Sequence, residues 1–74
     1  MIKELDPVVL TKDLPDENLK AGDIGWVVLV HRGGAGFEVE FSTLSGETVS
    51  VVTVPAAAVR PVAPKEIAHV RQVA

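Results

Sequence analysis

The chain has 74 residues, is 47% hydrophobic, carries a formal net charge of −3, and contains two histidines and no cysteine. That length holds one domain, the missing cysteines exclude disulfides and thiolate zinc sites, and the acidic balance disfavours phosphate-rich partners. A chain this short buries only about 60% of the surface it exposes when unfolded, so a few side chains decide whether it folds.

Charges interrupt Met1-Ile2-Lys3-Glu4-Leu5-Asp6, so no apolar signal core starts the chain. The longest apolar run, Trp26 to Val30, falls far short of the ~18 residues of a membrane span. With no cysteine, the expectation is a soluble cytoplasmic protein.

Valine content and turn punctuation favour strands as far as Val62. Pro7–Thr11 is the first, with proline at its start, where a missing N–H is tolerated. A polar loop, Lys12 to Asn18, leads into Leu19-Lys20-Ala21-Gly22-Asp23-Ile24-Gly25-Trp26-Val27-Val28. Here Gly22 supplies a positive φ, Asp23 accepts turn N–H groups, and Gly25 allows a close approach or a bend.

Ile24–His31 is the second strand, and Gly33-Gly34-Ala35-Gly36 closes a hairpin. Phe37-Glu38-Val39-Glu40-Phe41 alternates strictly, so the aromatics and Val39 share one face and the glutamates the other. After a Ser45-Gly46 turn, Thr48–Val54 is the fourth strand, and its Val51-Val52 pair suggests a bulge or burial on both faces. Pro55 to Ala58 makes one short helical turn, and Val59–Val62 is a fifth strand placed at an edge by Pro61.

The fold class is therefore all-β: residues 1–62 form a small five-stranded SH3-like barrel, with one short helical turn before the last strand. Residues 63–74 form a C-terminal tail, helical or frayed. Pro64, Glu66 and Arg71 suit the start and end of a helix whose Ile67, Val70 and Ala74 would share one face. A helix of about ten residues needs a surface to dock on, either this barrel or a second copy.

Charge is distributed unevenly. Residues 1–25 hold six acids against three lysines, whereas Arg60, Lys65 and Arg71 face only Glu66 in the C-terminal part. Such asymmetry orients a partner.

Several ordered segments together are similar to one family. They are Leu19 to Val28, Phe37 to Phe41, Gly46 to Val49, Val51 to Val54, Arg60-Pro61-Val62 and Glu66-Ile67-Ala68-His69-Val70-Arg71. The chain, from about Leu5 to Arg71, resembles the bacterial family called domain of unknown function 4926. The resemblance implies a small β-barrel protein with no assigned activity, closer to accessory or antitoxin-like partners than to enzymes, and it carries over no functional residues. Trp26 departs from it, because relatives are more often small or polar there.

No residue set carries chemistry. Glu38 and Glu40 lie about 7 Å apart on one strand face, a separation used by inverting glycosidases. A barrel this small has little surface for a catalytic cleft, so the pair reads as solvated charge. The glycine-rich hairpin lacks the Lys-Ser/Thr and the helix of a phosphate loop. Ser42, Ser45 and Ser50 lack a nucleophile elbow, His31 and His69 have no orienting partner in sequence, and His69 reads as a surface or packing residue. No catalytic residue, metal ligand or cofactor is expected.

Trp26 shares its parity with Ile24, Val28 and Val30, which reads as a core face, and an outward Trp26 would instead be an interface anchor. The expected function is that of a non-enzymatic protein-interaction module whose candidate contact residues are Trp26, Glu38, Glu40, Arg60, His69 and Arg71. Gly22, Asp23 and Gly25 are structural turn residues. The partner is another protein, and a homodimer through the tail is one assembly the sequence allows. The alternative, a nucleic-acid-binding KOW-type barrel, requires a basic stripe and stacking aromatics that seven basic residues and three aromatics supply poorly.

Overall fold

A computed structural model describes residues 1–73. Five antiparallel strands form one sheet: β1 (Pro7–Leu10), β2 (Ile24–His31), β3 (Gly36–Ser42), β4 (Thr48–Pro55) and β5 (Val59–Pro61), in the spatial order β4-β3-β2-β1-β5. The strand bounds match the sequence expectation to within one residue at each end, and the turn Ala56–Ala58 is a 3-10 helix joining β4 to β5. A second 3-10 turn, Pro15–Glu17, lies in the polar loop that leads into the Gly22 turn.

The connector dictates the shape. In a flat sheet, four strand spacings of about 4.8 Å would hold the outermost strands ~19 Å apart. The four chain steps from Pro55 to Val59 reach at most about 14 Å. The sheet must therefore curl, and its inner face closes on one core that contains Val54 of β4 and Val59 of β5 beside Val8, Leu10, Val27, Phe37, Val39 and Phe41. Thr11 secures the closure by donating from its N–H to the Ala58 carbonyl at 2.8 Å and from its hydroxyl to that of Ala57 at 2.8 Å.

Two registers break. Val28 is the extra residue between the pairs Val27↔Val39 and Leu29↔Glu38, and Val49 is the extra residue between Phe41↔Ser50 and Ser42↔Thr48. The second irregularity corrects the expectation for β4, because the shift falls at Val49 and not at Val51-Val52. Trp26 is a further correction: it faces outward and is 51% exposed, while Gly25 and Val27 face inward. The inner parity of β2 was hidden because its first member is glycine. A Cβ on Gly25 would stand 2.5 Å from Val39 Cγ1 and 2.7 Å from Phe41 Cε1, so this inward position is filled by its neighbours' side chains.

No helix forms over residues 63–73, and Ala74 lies outside the described residues. Pro64 and Lys65 make a turn instead, with Lys65 at φ 68°, a left-handed conformation that stops a right-handed helix from propagating. Glu66 accepts the Ala63 N–H at 2.6 Å, a local bond that competes with helical pairing. Ile67 and Val70, the expected packing face, are exposed.

Replacing Gly25 with alanine should overpack this junction and lower stability by about 1–3 kcal/mol. Urea unfolding followed by circular dichroism, with a reduced midpoint at unchanged slope, measures the loss.

Candidate functional site

The six candidate contact residues fall into two groups. Trp26, Glu38 and Glu40 share the outer face of β2–β4, where Pro7, Trp26, Glu40 and Val51 form one row across four strands. Leu29, Glu38 and Thr53 form the adjacent row. The Val28 bulge restarts the alternation, so Val28 and Leu29 both reach the surface. Val51 is 50% exposed beside them.

The glutamates border this apolar strip, and Glu40 is fixed in place by a hydrogen bond. Thr48 Oγ1 donates to Glu40 Oε2 at 2.7 Å, and His31 Nε2 stands 3.5 Å from Glu38 Oε1. That separation is long for a hydrogen bond, and His31 Nε2 is a buried nitrogen without a bonded partner. Glu38 is nonetheless the neighbour that sequence order alone could not assign to His31.

Arg60, His69 and Arg71 lie elsewhere, along the tail. Arg60 grips Glu66 with two parallel bonds, Nη1 to Oε1 at 2.9 Å and Nη2 to Oε2 at 2.6 Å. These bonds and the Ala63 N–H hold the Glu66 carboxyl down at about 2. Arg71 grips Asp23 in the same way, Nε to Oδ1 at 2.8 Å with Nη2 on Oδ2, and its Nη2 also donates to the Asn18 carbonyl at 3.0 Å. Burial alone would raise the Asp23 pKa. The Arg71 hydrogen bonds and the Lys20 N–H outweigh it and keep the carboxyl below its usual range.

Asp23 therefore has a second task that its turn motif did not disclose. It closes the Lys20–Asp23 turn, accepting the Lys20 N–H at 2.8 Å around Gly22 at φ 95°, and it anchors the tail. His69 is exposed and borders the two clefts that flank the tail. Among the described residues no three His, Cys, Asp or Glu side chains converge as metal ligands, and no helix is long and apolar enough to cross a membrane.

Sequence reasoning missed Val28, Leu29 and Val51 as surface residues and Glu66 as a tail anchor. The doubled valines at 27–28 and 51–52 were the available signal for the first group, since an unbroken period of two cannot bury both members of such a pair.

Fold and surfaces define a small all-β domain with one apolar, acid-bordered sheet face and a tail tied across its end. The family model described as Domain of unknown function (DUF4926) matches residues 4–61, short of the segment Glu66 to Arg71 that the resemblance included, and the chain belongs to that family. No curated protein and no solved structure matches.

Two outcomes follow. Trp26→Ala should leave the fold intact and cost no more than about 2 kcal/mol, against about 3–5 for a core tryptophan, as read from thermal melts. The bond between Glu66 and the Ala63 N–H should hold fully above pH 4.5 and be lost as pH falls towards about 2, because the native carboxyl lies below its unfolded value. Hydrogen exchange of the Ala63 amide across that range follows the release.

Proposed function

We propose that this protein is a non-enzymatic interaction module, an accessory or antitoxin-like subunit that docks the outer face of β2–β4 on another protein. The observation that carries the reading is the row containing Trp26, Glu40 and Val51 beside the row containing Leu29 and Glu38. Interfaces concentrate their energy in a few aromatic anchors set in an apolar centre with a polar rim. A half-exposed indole on a rigid strand, next to exposed valine and leucine, has that composition. The two glutamates favour a partner whose apolar patch is bordered by lysine or arginine, and would speed its approach.

The strand order β4-β3-β2-β1-β5, with a 3-10 turn before β5, supports describing the fold as an SH3-like barrel. The absence of cysteine supports a cytoplasmic setting. Nucleic-acid binding is the weaker reading, because carboxylates beside the exposed indole would repel phosphates.

Capture from the native host with tagged wild-type chain, Trp26→Ala and the Glu38→Lys/Glu40→Lys pair tests the proposal. A protein held by the wild type should be reduced about tenfold or more by either change, with circular dichroism showing both variants folded. An identical set of captured proteins for all three, or a shift of RNA or DNA at low salt, would refute it.

A further inference from the structure

The tail satisfies only half of the site it crosses. Its polar half is a guanidinium receptor made of both Asp23 carboxylate oxygens and the Asn18 carbonyl, and Asp13 lines a recess with Asn18 and Arg71. Bonds other than those to the arginine also hold this site: Asp23 accepts the Lys20 N–H, and Asp13 accepts the Ala21 N–H at 2.9 Å. A planar fork facing a carboxylate and a carbonyl is the geometry for which arginine is suited and lysine is not.

The apolar half is left unfilled. Beside the tail runs a cleft of about 450 Å³ bordered by Leu19, Ile24, Phe41, Leu44 and Val49. The tail lines this cleft from Ala68 to Val73 without filling it: Val73 is half-buried, but Val70 is 76% exposed, and Leu44 of the same cleft is 93% exposed. Residues 62–73 belong to no strand and bury no side chain in the core. What holds the tail is two forked Arg–carboxylate pairs that remain partly open to water, where solvent screening reduces what each contributes. The family match covers Asp13, Asn18 and Asp23 and ends at residue 61, so the receptor lies within the family domain and Arg71 outside it.

We propose that this site is an arginine-peptide receptor, and that the tail is a removable stand-in for an arginine-bearing, non-helical segment of a partner protein. The partner segment places its guanidinium on Asp23 and Asn18 and adds a bulky apolar side chain that fills the cleft. Charge complementarity selects it, and the unfilled apolar wall gives it the advantage over the tail. Trp26, Glu38 and Glu40 take no part, so the receptor stands or falls independently of the outer face.

The probes are synthetic peptides of residues 63–74, one native, one with Ala68→Phe and one with Arg71→Gln, titrated by NMR into full-length wild-type and Arg71→Ala proteins. The Arg71→Ala protein should bind the native peptide. Wild type should bind it about tenfold more weakly, because its own tail competes at an effective concentration of about millimolar. The Ala68→Phe peptide should bind several-fold more tightly than the native one, and the Arg71→Gln peptide should not bind. Failure of a folded Arg71→Ala protein to bind either arginine peptide would overturn the proposal, as would equal binding of the Arg71→Gln peptide. A wild-type dimer that Arg71→Ala abolishes would also overturn it, because the occupant would then be the tail of a second copy.

Discussion

The Lys20–Asp23 turn is the joint through which the separate parts of this chain hold one another. Gly22 donates to the Leu10 carbonyl, and Leu10 donates back to the Asp23 carbonyl, each at 2.8 Å, so the turn is stitched to the end of β1. The Asp23 carboxylate closes the turn and also receives the tail arginine. A residue chosen for local backbone reversal thus fixes three things: where β2 begins, which way its side chains face, and where the C-terminal segment can attach. Because Gly25 follows two residues later on the inner face, the parity set here puts Trp26 outside.

That geometry sorts the surface into two kinds of contact. The outer face of β2–β4 is built on paired strands, so its indole and carboxylates are held in register and lose little freedom when covered. The tail side is the reverse. Its contacts are charge-assisted and sited on irregular chain, which makes them directional but easily exchanged. One small domain therefore carries an exposed sheet face with apolar residues and, separately, a tail held by ionic contacts.

Much of this was legible in the residues. The strands could be read because valine, threonine and phenylalanine runs sit between strong turn signals, and the alternation from Phe37 to Phe41 gives the inward and outward faces of β3 correctly. Gly25 was read as a point of close approach, and Val39 and Phe41 crowd its position. Other features were hidden for physical reasons. A glycine gives no hydrophobic signal, so the inward parity of β2 had only Val27 to announce it. The bulges at Val28 and Val49 are set by pairing between strands, which a single strand's pattern does not contain. The tail carried sound helix signals, yet Glu66 and Arg71 bond to groups 6 and 48 residues away in sequence, and those contacts outweighed local propensity.

The outward indole also gives the chain a built-in reporter. Trp26 is its only tryptophan and it has no tyrosine, so its fluorescence above the phenylalanine region arises at a single spot on the exterior. About half of that residue already meets water, so losing the fold changes its surroundings modestly, whereas a molecule settling on the sheet would dry it. The chain's own emission is thus tuned to what touches its outside and nearly silent about its interior.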